Sequence, residues 1–205
     1  MPGIHNQPMK NYVSLLLLSL LMAMGCNTVA PKAPKIIIIQ PLGAFPKSLS
    51  RTVWNQIKIV NPNTLLQENI PLPEQAYYPV RNRYRADSII SIFHRKAGKD
   101  TVWITLTEKD ISTTKDGIAD WGIMGLAYRP GRACVVSTFR LDKQKIPEQF
   151  YKVAIHELGH SQGLDHCPQQ TCYMRDAEGG NPTDEETGFC PSCKTILKKK
   201  GWRLL

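Results

Sequence analysis

The chain has 205 residues, enough for one domain with a real hydrophobic core and too few for two full-sized domains with a linker. Hydrophobic residues make up 42% and charged residues 21%, which excludes a chain kept disordered by low hydrophobicity. The formal charge of +9 raises an anionic partner, but no helix-turn-helix or aromatic-interleaved basic motif accompanies it. Nucleic acid is therefore not expected as a partner, and the cluster Lys194, Lys198, Lys199, Lys200 and Arg203 reads as a solvated surface.

Lys10 precedes an apolar stretch from Tyr12 to Met24, too short to span a bilayer as a helix but of the length of a signal-peptide core. Residues 1–25 are read as a signal peptide. The next residues, Ala23-Met24-Gly25-Cys26, resemble the lipobox of bacterial lipoproteins, which implies a lipid carried on the Cys26 thiol. An ordinary secretory signal with an incidental cysteine, or a buried N-terminal helix, are the other readings of this segment. Residues 26–35 are small, polar and proline-bearing, as suits an extended tether rising roughly 3 Å per residue. A folded domain over 36–205, lipid-anchored to a membrane of the bacterial envelope on its extracytoplasmic side and monomeric, is the expected arrangement.

Ile36 to Ile39 is a β-branched run closed by Gln40-Pro41-Leu42-Gly43 and reads as a buried strand. A short helix from about Leu49 and a second strand over Ile57–Val60 follow. Prolines 62, 71, 73 and 79 each remove a backbone donor, so Asn61–Pro79 is expected to be an irregular loop. From Arg81 to Lys96 the positions Ala86, Ile89, Ile90 and Phe93 recur at helical spacing, giving an amphipathic helix. Val102, Ile104 and Leu106 alternate as in a strand. Gly122–Tyr128 and Ala133–Phe139, separated by Arg129-Pro130-Gly131-Arg132, form a hairpin. Pro147 suits the first turn of a helix running to about Gly163, with Phe150, Val153, Ala154 and Leu158 on its apolar face. The order of elements predicts a mixed α/β domain.

The segment His156-Glu157-Leu158-Gly159-His160-Ser161-Gln162-Gly163-Leu164-Asp165-His166 matches the extended metzincin pattern in every specified position. Residues four apart share a helix face, so His156 and His160 can direct imidazoles at one metal while Glu157 projects beside them. Gly163 tolerates positive φ, which lets the chain leave the helix sharply and return His166 as third ligand. Three neutral imidazoles leave an open zinc position where bound water is acidified towards a pKa of about 7. Glu157 would take that water's proton as general base and pass it to the leaving amine. The remaining histidines, His5 in the signal region and His94 on the amphipathic helix, carry no partner pattern.

Cys167 follows His166 directly, and Cys172, Met174, Cys190 and Cys193 come after it. The whole reads HExxHxxGxxHC, CxM, CxxC and resembles the archaemetzincin family. That resemblance runs upstream through Arg132–Leu141 and Thr107–Asp110, although only His156–Cys193 is specific. It implies a compact metzincin-like catalytic domain with a mixed twisted sheet, an active-site helix and a C-terminal helix. It also implies a second, structural zinc on Cys167, Cys172, Cys190 and Cys193, and makes Met174 the methionine of a Met-turn beneath the catalytic zinc. The interval from Met174 to Cys190 is about two residues shorter than the family's, which bears on the loop. An edge strand pairs with extended substrate in metzincins, and Gly122–Tyr128 is the equivalent here.

The residues themselves leave disulfides open for the four cysteines in an extracytoplasmic compartment. Cys134, in an apolar strand, is expected to be a buried core thiol. Two zinc ions per chain and a peptide or protein substrate are the resulting expectations. A zinc-stabilised envelope binding protein without turnover is the alternative, against which intact Glu157 argues.

Overall fold

The computed structural model describes Gly3 and residues 35–204; the rest of the segment read as a signal peptide, Cys26 and the expected tether up to residue 34 lie outside the described residues. Strand β1 (Ile36–Pro41) is the expected β-branched run. It pairs in parallel with β2 (Thr64–Leu66) on one side and β5 (Thr101–Thr107) on the other. Strand β9 (Ala133–Ser137) continues the sheet in parallel with β5, and β8 (Gly125–Ala127) closes it antiparallel, giving the order β2-β1-β5-β9-β8. A smaller sheet carries β3 (Tyr77–Tyr78), β4 (Arg83–Arg85), β6 (Ile111–Lys115) and β7 (Ile118–Ile123).

The larger sheet is covered on both faces, and the period of two decides which side chain goes where. Ile37, Ile39, Ile104, Leu106, Cys134 and Val136 pack with Val53 and Ile57 of α1 (Lys47–Val60) and with Phe150, Ala154 and Leu158 of α3 (Ile146–Ser161). The intervening Ala133 and Val135 turn the other way and meet Ile89, Ile90 and Phe93 of α2 (Ala86–Lys96). Cys134 is thus a core thiol as expected, with no accessible surface. A C-terminal helix α4 (Pro191–Lys199) starts on a proline, whose missing N–H costs nothing in a first turn. The result is the mixed α/β fold the sequence predicts.

Several boundaries differ. Ile57–Val60 is not a strand but the last turn of α1. Leu49, Val53 and Ile57 bury one helical stripe while Ile59 stays exposed, so burial at spacing four outweighs local β-propensity. The expected loop over 61–79 holds β2, a 3-10 turn at Glu74–Ala76 and β3 between its prolines. The helix expected from Arg81 begins at Ala86, because Tyr84 and Arg85 pair with β6 as strand β4. Of the expected hairpin, Gly125–Ala127 pairs with Cys134–Val136, but Gly122 and Ile123 belong to β7 in the other sheet. The β6–β7 hairpin was not expected. Its turn is Asp116-Gly117, both left-handed (φ 50° and 80°), the Asp-Gly pair that two-residue hairpins favour.

Candidate metal centres and the cleft between sheet and helix

Helix α3 places His156 and His160 one turn apart with ring centroids 4.6 Å from each other. At Gly163 the backbone turns left-handed (φ 94°), and Gly163 and Leu164 donate to the carbonyls of His160 and Gly159 at 2.8 and 3.1 Å. That reversal brings the His166 ring to 4.8 Å from His160 and 5.5 Å from His156. One ring nitrogen from each of the three lies within 4.8 Å of the others.

The tautomers follow from the partners. His156 Nδ1 faces the Tyr173 carbonyl at 2.6 Å and His160 Nδ1 faces that of Leu164 at 2.8 Å. A carbonyl only accepts, so both Nδ1 atoms carry hydrogen and both Nε2 lone pairs are left for a metal. Asp176 Oδ2 lies 3.1 Å from His166 Nδ1. Burial, reinforced by the neighbouring His160, lowers the His156 pKa to about 3, and burial also lowers that of His160. Neutral imidazoles are the form a metal needs, so this cluster fits zinc.

Glu157 sits on α3 beside His156 and is buried beneath strand β8. A Cβ added to Gly125 would fall 2.6 Å from Glu157 Oε1, so only glycine allows the edge strand this close to the carboxylate. Burial pushes the Glu157 pKa up to about 8. Trp121 and Met124 to Ala127, the helix residues Val153, His156, Glu157 and His160, and the segment Arg175–Thr183 together line a cleft of about 680 Å³. Among the described residues strand β8 is bonded only to β9, which leaves its other backbone edge available to an extended chain.

The four later cysteines form a second cluster. Cys167 Sγ is 3.6 Å from Cys190 Sγ and Cys172 Sγ is 3.8 Å from Cys193 Sγ, with all four sulfurs within 4.8 Å. None is in a disulfide, which would need sulfurs about 2.0 Å apart. A zinc–thiolate tetrahedron with bonds of about 2.3 Å has edges of about 3.8 Å, so the spacing fits zinc. Burial raises the Cys172 pKa, and the backbone N–H groups of Met174 and Cys190, pointing at its Sγ at 3.5 and 3.4 Å, act against that rise.

Met174 is fully buried under α3. A Cβ on Gly159 would run into its Sδ, so the close approach of helix and methionine requires glycine there. Gly159→Ala is expected to cost about 1–3 kcal/mol by overpacking, measured as a lowered midpoint of denaturant unfolding; a midpoint equal to the parent's would show that the contact has slack.

Every site residue predicted from the sequence falls into one of these groupings except Cys26, which lies outside the described residues. His94 joins neither cluster; it lies in the last turn of α2 beside Arg132 and Tyr128. Sequence reasoning missed the carbonyls of Tyr173 and Leu164, Gly125 and Asp176. Main-chain acceptors have no sequence signature, and Asp176 is an ordinary loop acid until His166 is placed next to it.

A mixed α/β domain with three convergent histidines and a buried carboxylate over an open cleft has the make-up of a zinc-dependent metallopeptidase. The model of Peptidase family M54 matches residues 65–199, and the chain belongs to that family, the archaemetzincins, a family of zinc metallopeptidases. The archaemetzincin of Halobacterium salinarum is 29% identical over 173 residues, covering 78% of this chain and 97% of that one. That of Methanopyrus kandleri is 33% identical over 132 residues, covering 62% and 73%. The crystal structure of the M. kandleri archaemetzincin superposes with a TM-score of 0.69 at 25% identity, covering 84% of this chain and 98% of that one. The archaemetzincin from Archaeoglobus fulgidus, solved complexed with malonate, gives 0.66 at 25% identity over 78% and 98%.

Proposed function

We propose that this chain hydrolyses peptide bonds in the cleft beneath β8, with His156, His160 and His166 holding a catalytic zinc and Glu157 acting as general base. The observation that carries the reading is the convergence of the three histidines, two of them with Nδ1 already occupied, beside a carboxylate that lies against an open strand edge. Zinc, when bound, supplies Lewis acidity and lowers the pKa of water towards about 7. An extended substrate adds to β8 as a further strand, which presents its carbonyl above α3. Glu157 accepts the proton of the attacking water and returns it to the leaving amine.

In the same reading Cys167, Cys172, Cys190 and Cys193 hold a second zinc that pins the irregular segment after α3, for a total of two per chain. Digestion of a peptide library with mass spectrometry of the products tests the activity. Chelator-sensitive cleavage is expected, whereas zinc-dependent folding without any product would favour the binding protein without turnover.

The division into a signal over 1–25, a tether over 26–35 and a monomeric catalytic domain anchored in the bacterial envelope through Cys26 is proposed on the residues of the N-terminal segment. Cys26→Ser is expected to prevent lipidation and to shift the chain from the membrane to the soluble fraction. An unmodified Cys26 in the mass spectrum of the mature parent would overturn the anchor.

A further inference from the structure

We propose that Asp176 is a positioning residue for the catalytic metal, holding the His166 ring so that its Nε2 faces those of His156 and His160. This rests on the reading of the histidine cluster as the zinc site. His156 and His160 are each fixed twice, by the backbone of α3 and by a main-chain carbonyl at Nδ1. His166 has neither support. It lies past Gly163 in a stretch without helix or strand, its side chain is 44% exposed, and among the described residues no main-chain carbonyl meets its ring.

What His166 has is the Asp176 carboxylate, with Oδ2 at 3.1 Å from Nδ1. Asp176 is itself held in place. Its Oδ1 accepts the Glu178 N–H at 3.0 Å, and Gly180 donates to the Ala177 carbonyl at 2.7 Å, closing a turn in which Glu178 and Gly179 are left-handed (φ 47° and 82°). Just upstream, the Cys167 N–H donates to the Met174 carbonyl at 2.8 Å. The backbone next to His166 is thereby tied to the backbone two residues before Asp176, so ring and carboxylate are carried by two segments bonded to each other. A carboxylate at Nδ1 fixes the tautomer that leaves Nε2 free, orients the ring and raises its basicity towards a metal.

Both partners are about half exposed, and an exposed pair of this kind contributes little to folding. Metal affinity and stability therefore separate. Zinc affinity is measured by competition with a chromophoric chelator on the zinc-loaded protein, taking as the relevant zinc the equivalent that His166→Ala releases. Asp176→Ala is expected to weaken that zinc by about 10–100-fold, and Asp176→Asn by less, because its amide oxygen still accepts from Nδ1. Peptide hydrolysis by Asp176→Ala should return when free zinc is raised. In the His166→Ala background the same substitution should leave the zinc content unchanged, and any loss of stability from freeing the Glu178 N–H that Oδ1 accepts should be equal in the two backgrounds. Parental zinc affinity in Asp176→Ala would overturn the proposal. Retention of the full zinc complement at parental affinity by His166→Ala would instead overturn the histidine site, and this proposal along with it.

Discussion

Glu157→Gln is expected to slow peptide hydrolysis by orders of magnitude while both metal clusters and the fold stay as they are. Glutamine keeps the shape of the side chain under Gly125, where a single added carbon would already collide with the carboxylate, so the edge strand need not move. What it loses is the ability to take a proton. General-base assistance accounts for about 10²–10⁴-fold in rate, which sets the expected fall in kcat. Zinc content should be unchanged, because Glu157 is not among the residues whose ligand atoms converge on one point. Folding should not suffer either: burial already raises the proton affinity of this carboxylate, and a neutral amide there avoids the desolvation of a charge. Glu157→Ala should lose activity in the same way. Hydrolysis at the parent rate in either variant would remove Glu157 from the mechanism and leave the histidine site standing.

How much of this was legible beforehand depends on the kind of interaction. His156, Glu157 and His160 were readable because spacing four on a helix is a geometric statement, and Gly163 because a sharp exit needs a left-handed residue. The four cysteines were readable as a set by their paired spacing and their likeness to a family pattern, whereas the 3.6 and 3.8 Å sulfur separations that fit a metal have no sequence signature. Strand and helix boundaries failed where tertiary burial overrode local preference. Ile57 looks like the start of a strand until Leu49 and Val53 are seen on the same buried stripe. Gly122–Tyr128 looks like one strand, although the chain changes sheets within it. That change is what places Gly125 over Glu157 and Trp121 at the cleft wall, and no local signal marks it.

His166→Ala and Cys190→Ser are expected to fail in different ways, because the two clusters share one segment but not one task. His166 is exposed beyond the end of α3, so under the proposed zinc site its loss should remove one zinc and the activity while the unfolding transition stays cooperative. Cys190 N-caps α4, and its sulfur lies against Cys167, the residue next to His166. Between them, the Tyr173 N–H donates to the Gly188 carbonyl at 2.9 Å and the Tyr173 carbonyl receives His156 Nδ1 at 2.6 Å. Loosening the cysteine cluster should therefore free α4, which packs Cys193 and Leu197 into the main core, and also slacken the carbonyl that orients His156. A structural zinc contributes folding energy directly, so Cys190→Ser should show a large drop in thermal midpoint, with the catalytic zinc held more weakly as a secondary effect. Metal analysis and thermal unfolding of both variants decide the matter. One zinc in the parent together with two disulfides under non-reducing conditions would assign the cysteines to redox pairing, while leaving the histidine site as described.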